Sequence, residues 1–234
     1  MSKDFPKATP HGPLTEVAPG VHAVRGTFRM GPGLWLSRTM TVVQTDSGLV
    51  IVNAIRLDPA GEAALARLGK VQHVVTLSDM HGLDDPYYVH TFGARFWTVP
   101  GARPKHLPVD LVLDATPIPG AVFILLANPG RPEGALWLPH GQGTLVTCDA
   151  LQNHVDSEGA TLLTRLITPL LGFKGGVIVP RLWRKAHRVG PAEVATVFAP
   201  LGALAFEHLI TAHGPPVTSG ADLRVREAVA RVGG

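Results

Sequence analysis

The feature that most narrows the fold is a run of apolar, β-branched residues that folds back on itself and then changes period. Met40 to Gln44 and Leu49 to Val52 flank Asp46-Ser47-Gly48, which reads as strand formers on either side of a tight turn. Upstream, Val17-Ala-Pro-Gly20-Val-His-Ala-Val24 reads as a turn entering a strand, so the chain opens as a β-meander. From Asp58 to Lys70 the period becomes helical: Asp58 can cap, Pro59 suits the first turn, the interior is rich in Ala and Leu, and Gly69 ends it. Val71 to Leu77 is then a short buried strand, Asp84 to His90 a helix start and Arg95 to Val99 another strand, a βαβ alternation.

A second strand-rich block runs from Leu111 to Asp149, punctuated by Gly120, Gly130, Gly134 and His140-Gly-Gln-Gly143. Beyond Asp149 the chain reads as mostly helical. Pro191 to Leu204 is one helix, Val225, Ala228, Val229 and Val232 form the buried stripe of another, and His208 to Ala212 is a short strand between them. No internal repeat or low-complexity linker divides the 234 residues, so one domain is expected, preceded by a flexible tail over residues 1–13.

A hydrophobic fraction of 45% against 17% charged residues excludes long disorder. The single cysteine, Cys148, excludes an internal disulfide and a four-thiolate metal centre, and points to a reducing compartment, the cytoplasm by default. Met1 to Pro13 lacks the apolar core of a signal peptide, and the apolar stretch from Leu162 to Val179 is broken by Arg165, Pro169 and Lys174, so no membrane span is expected. The net charge is +3, with Arg181, Arg184, Lys185, His187 and Arg188 inside eight residues. That run reads as a solvated helix face, with an anion or acidic-lipid site as the alternative; no interleaved aromatic residues support nucleic acid.

Four segments, in order, carry a family resemblance: Val17-Ala-Pro-Gly-Val21, the hairpin around Asp46-Ser-Gly48, Thr144-Leu-Val-Thr-Cys-Asp149, and Ile210-Thr-Ala-His213-Gly214. Together they resemble the metallo-β-lactamase superfamily over nearly the whole chain, in a divergent branch marked also by Thr-Met-Thr-Val-Val, Leu163-Thr-Arg165 and a late His-Gly-Pro. The fold this resemblance implies is a four-layer αββα sandwich, with its site in loops at one end.

Members of that superfamily hold one or two metals with an H-x-H-x-D-H loop, a His in P-G-H-x-x-G, a bridging Asp and a late His. Here the loop reads Thr76-Leu-Ser-Asp-Met-His81-Gly-Leu-Asp84-Asp85. Leu77 and Asp79 stand where the first two His belong, and His81-Gly82 where the Asp-His pair belongs; a one-residue shift makes His81 the pair's His. In Pro129-Gly-Arg131-Pro-Glu-Gly134, Arg131 takes the third His position, and a guanidinium cannot ligate a cation. The resemblance thus implies a mononuclear set of His81, Asp149 and His213, although a His-Gly pair seen alone is an ordinary loop feature. Zinc with three protein ligands and an open position lowers the pKa of bound water to about 7 and supplies hydroxide. Two His and a carboxylate also suit iron(II), and some members of the superfamily are iron oxygenases.

In this reading Asp79 orients or deprotonates the water, and Arg131 either binds an anionic part of the substrate or pairs with Asp79 across the vacated first site. Asp84 and Asp85 are helix caps or additional carboxylate ligands, His154 is a reserve ligand, and Cys148 is a small buried hydrophobe. His22, His73, His90, His106 and His208 are packing or surface residues, and His140 sits in a turn. The function implied is hydrolysis of a small-molecule ester, lactone, amide or phosphoester at one divalent metal, zinc first and iron second. The alternatives are a non-catalytic binding protein on the same fold and a mononuclear iron oxygenase.

Overall fold

The computed structural model describes residues 5–104, 107, 110–113, 115–127, 131–156, 159–170 and 172–233. The first four residues of the expected tail, His106, and Pro129 and Gly130 of the arginine-bearing motif lie outside the described residues. Residues 5–13 lie along the first strands and helices: Gly12 N–H donates to Arg25 O at 2.7 Å, Thr27 N–H to Pro10 O at 3.1 Å, and Phe5 packs edge-on to Tyr87.

The meander forms as read. β1 (Thr15–Ala18), β2 (Val21–Gly31), β3 (Leu34–Thr45) and β4 (Gly48–Val52) pair antiparallel in sequence, with Thr45 opposite Gly48 across the Asp46-Ser47 turn. α1 (Pro59–Leu68) starts where the Asp58 side chain accepts the Gly61 N–H at 2.8 Å and stops at Gly69, whose φ of 150° only glycine holds easily. β5 (Val71–Thr76), α2 (Asp85–Phe92), β6 (Arg95–Thr98) and β7 (Leu111–Val112) then extend the same sheet in parallel, giving seven strands in the order β1 to β7.

β8 (Val122–Ala127), β9 (Glu133–Leu138) and β10 (Thr144–Thr147) follow, then β11 (Gln152–His154), α3 (Leu162–Ile167), β12 (Gly176–Ile178), α4 (Arg181–His187), α5 (Val194–Phe198), β13 (His208–Ile210) and α6 (Ala221–Gly233). β13, β10, β9 and β8 make a second sheet of four strands, β13 running parallel to β10. The region after Asp149 is less helical than its composition suggests, because β11 and β12 pair as an antiparallel ribbon. Nor is Pro191 to Leu204 one helix: α5 is flanked by 3₁₀ turns at Pro191–Glu193 and Ala199–Ala203, and Pro200, with no N–H and a ring that crowds the preceding turn, prevents continuation.

Period-2 alternation explains the layers. In β4, Val50 and Val52 face the second sheet while Leu49 and Ile51 face α1 and α2; in β10, Val146 faces the first sheet and Leu145 faces α4, α5 and α6. Three apolar layers result: Leu65, Tyr88 and Phe96 outside the first sheet, Val75, Leu136 and Ile210 between the sheets, and Trp183, Phe198 and Val225 outside the second. The architecture is the αββα sandwich.

Three strand ends, those of β5, β10 and β13, open at the same edge of the sandwich. Asn53, in the left-handed region at φ 54°, ties two of them: its amide donates to Thr147 O at 3.2 Å and its carbonyl accepts the Leu77 N–H at 3.4 Å. The third is held through Gly214, at φ 96°, where the chain passes so close to Asn153 that an added Cβ would lie 1.7 Å from its carbonyl oxygen. Thr39 donates through both its N–H, to Ala212 O, and its hydroxyl, to Gly214 O. Gly214→Ala combines left-handed strain with a backbone clash and should cost at least ~2 kcal/mol. Thermal unfolding checks this, and an unchanged melting temperature would contradict the close approach.

Candidate metal centre

Each member of the candidate set follows one of the three strand ends. His81 sits in the turn after β5, where its N–H donates to Ser78 O at 3.3 Å. Asp149 lies two residues beyond β10, and His213 three beyond β13. The His81 Nε2 is 3.2 Å from one Asp149 oxygen and the His213 Nε2 is 3.1 Å from the other. All three ligand atoms fall within 4.8 Å of one another, and the imidazoles meet edge to face with centroids 5.5 Å apart.

The tautomer of His213 is set from behind. Its Nδ1 lies 2.7 Å from Ser37 O, and a carbonyl only accepts, so Nδ1 carries a proton and Nε2 is the end turned to Asp149. Burial disfavours charge on His213, but the Asp149 carboxylate outweighs it and raises the imidazole above the usual histidine range. Burial alone would likewise raise Asp149; the opposing pull of His81 and His213 holds it well below the usual carboxylate range. The carboxylate is thus kept as an anion beside two nitrogens.

A divalent cation fits this donor set. Ligand atoms bound to one zinc at about 2.0–2.2 Å lie within about 4 Å of each other, and imidazole and carboxylate are ligands that zinc and iron(II) both accept. Gln152 orients the carboxylate, its amide donating to Asp149 at 3.2 Å while its oxygen accepts from His154 Nε2 at 2.8 Å. His154 therefore stands one residue behind the trio rather than in it. Burial, reinforced by the nearby charge of His213, pushes its pKa down to about 4, so it acts as a neutral donor.

A cavity of about 620 Å³ opens over His81 and His213, in the size range of small-molecule sites, with Arg38, Asp79, Met80 and Arg131 in its wall. Asp79 Oδ1 is buried there with no hydrogen-bond partner among the described residues. The expected Asp79–Arg131 pair is absent from the described ion pairs. Arg131 is exposed and its Nη1 lies 3.3 Å from Met80 Sδ, leaving the guanidinium turned to solvent. Leu77, at the first His position, is wholly buried between the sheets. Cys148 is equally buried, and that burial, with Asp149 adjacent, raises its thiol well above the usual range.

Three residues that the sequence reading did not single out lie directly behind Asp149. Glu133, fully buried, accepts the Ala150 N–H and the Trp183 Nε1–H, the latter at 3.0 Å, and His187 Nε2 stands 3.7 Å away. Burial, then the charge of Asp149, raises Glu133 well above the usual carboxylate range. His187 was read as part of a solvated basic run, yet it and Trp183 form the inward face of α4. The signal was present in the sequence: one acid heading the apolar run Glu133 to Leu138, and an aromatic and a histidine four residues apart among cations.

Asp84 and Asp85 separate by environment. Asp84 occupies the N-cap position of α2 without a side-chain cap bond, and is instead buried against Arg38 at 2.6 Å and the Arg56 N–H at 3.0 Å. Asp85 is fully buried in the cavity wall, where Thr76 donates to Oδ2 and Oδ1 has no partner among the described residues. Burial pushes its pKa up to about 6. A carboxyl raised on folding supports the native state below its unfolded pKa near 4, and that support is lost as pH rises through 6. Asp85→Asn should therefore match the parent below about pH 4 and be more stable by about 2–3 kcal/mol at pH 7. Denaturant titrations across pH measure this; a constant difference would contradict it.

No family model matches the chain, and no curated protein matches it by sequence. Solved structures do match. The DIM-1 metallo-β-lactamase exposed to ceftazidime aligns with a TM-score of 0.64 at 13% identity, over 99% of this chain and 100% of that one. FIM-1 from Pseudomonas aeruginosa, in its mono-zinc form, aligns at 0.61 and 15% identity over 97% and 96%. A flavoprotein from Thermotoga maritima aligns at 0.61 and 12% identity over 91% of this chain and 58% of its own. Identities this low carry architecture rather than activity, and the architecture agrees across all three: the chain has the metallo-β-lactamase fold.

Proposed function

We propose that this chain is a mononuclear metal-dependent hydrolase of a small ester, lactone, amide or phosphoester, with His81, Asp149 and His213 holding one divalent cation. The observation that carries the reading is a half-buried carboxylate flanked by two imidazole Nε2 atoms at 3.1 and 3.2 Å, beside a cavity of small-molecule size. Zinc is the first choice and iron(II) the second. When bound, such an ion supplies Lewis acidity, which makes water a usable nucleophile at neutral pH and polarises the bond to be cleaved.

The chain's own groups supply the rest. Ser37 O fixes the His213 ring, and Gln152 holds the Asp149 carboxylate at its second oxygen. Asp79 Oδ1, buried and unpartnered in the cavity wall, is placed to accept a proton from water. Arg131, exposed at the same wall, offers its guanidinium to an anionic group of the substrate. With Leu77 buried in the core and Arg131 at the third His position, the two imidazoles that the superfamily would place there for a second cation are missing.

A metal-free binding protein is the second reading, favoured by the raised His213, since a protonated imidazole can itself balance Asp149. Metal content separates the two. Elemental analysis after exposure to zinc or iron(II) should give one equivalent per chain, and Asp149→Asn should weaken binding more than about a hundredfold with the fold retained. No bound metal would establish the second reading, and two equivalents would refute the single site. Metal-loaded protein that turns over none of the chromogenic esters, lactones, amides and phosphoesters would sink the hydrolase assignment while leaving the metal site standing.

A further inference from the structure

We propose that the cavity walled by Arg181, Arg184 and Arg231, with the exposed leucines beside it, docks the chain onto the phosphate headgroups of an anionic lipid surface. The cavity, about 280 Å³, lies on the far side of the second sheet, between α4 and the last turns of α6. Among the described residues its wall combines these three arginines with Leu170, Ile178 and Val232 and contains no carboxylate. None of the ion pairs among the described residues uses any of the three. Arg184 Nε is buried with no hydrogen-bond partner among the described residues, while Arg231 is pinned by donating from Nη2 to Val177 O at 2.6 Å. Guanidiniums gathered without a counter-ion repel one another, and their donor forks match phosphate oxygens.

The surroundings decide which phosphate. From Gly159 to Ala192 the sequence has Arg165, Lys174, Arg181, Arg184, Lys185 and Arg188 and not one Asp or Glu, so this stretch complements a negative surface rather than a single small anion. The same stretch exposes large apolar side chains. Leu162, Leu166 and Leu170, spaced by four along α3 and the turn after it, are 75%, 63% and 86% exposed, and Leu170 is also in the cavity wall. A soluble phosphate ester has no use for leucines held in water. A headgroup does, because its phosphate lies directly above hydrocarbon that would cover them. No described helix is long and apolar enough to cross a membrane, so the attachment is peripheral.

Co-sedimentation of the full chain with phosphatidylcholine vesicles, with and without phosphatidylglycerol, tests this at low and physiological salt. Binding is expected only with the anionic lipid, weakening as salt rises. Arg181→Gln with Arg184→Gln should lower it about thirtyfold, at about fivefold per cation, and Leu166→Ser with Leu170→Ser should lower it about tenfold or more. Lys185→Gln with Arg188→Gln removes the same charge outside the cavity and should have the smaller effect. Melting temperatures confirm that the variants fold, a control that matters most at Arg184, which is half-buried where the other positions are exposed. No binding to anionic vesicles, or equal loss in both charge variants, would overturn the cavity assignment. Tight binding of inorganic or glycerol phosphate by the free protein, with vesicle binding indifferent to the leucine changes, would overturn the lipid in favour of a soluble phosphate.

Discussion

Asp149 is a carboxylate largely withdrawn from water and held ionised, a state that costs free energy unless positive charge stands against it. The site is arranged around that requirement. His81 and His213 approach its two oxygens from separate loops, and Gln152 adds a neutral donor to one of them. A bound cation would answer that demand, and so would the His213 imidazole, whose pKa the carboxylate raises.

A second acid sits behind the first. Glu133 is fully buried, and the charge of Asp149 helps drive its pKa up, so of two neighbouring carboxyls one keeps its charge and the other holds its proton more tightly. Trp183 and His187 close the pocket around Glu133 from α4, which links a helix of the outer layer to the back of the candidate metal site. On the cavity side the division is similar. Asp84 is matched to Arg38 and stays structural, whereas Asp85, one residue later, accepts from the Thr76 hydroxyl and has no partner for its other oxygen among the described residues.

Much of this was legible in the sequence, for reasons that differ between parts. The meander, the capped helix from Asp58 and the parallel strands are written in local chemistry: β-branched runs, a turn triplet, a cap and a proline. The trio of His81, Asp149 and His213 could be read because each residue ends a strand in a recognisable order. What could not be read depends on distant partners. Nothing near Asp84 announces Arg38, which lies 46 positions earlier, and nothing near Glu133 announces Trp183, 50 positions later. Of the two roles read for Arg131, the pair with Asp79 is not among the described ion pairs, and the exposed guanidinium rests on Met80. The helix expected over Pro191 to Leu204 broke at Pro200, a residue plainly visible to a local rule; the apolar pattern outweighed it in the reading.

Asn53 is not one of the trio, yet from the cavity wall it spans from the end of β5 to the end of β10, joining a strand of one sheet to a strand of the other. The separation between His81 and Asp149 is therefore inherited from the spacing of two whole sheets, set by Val75, Leu136 and Val146 packed between them. Ligand geometry in this chain is a property of the core rather than of the loops that carry the ligands. A methyl group lost from the middle of the sandwich would be felt at its rim as a change in the spacing of the trio.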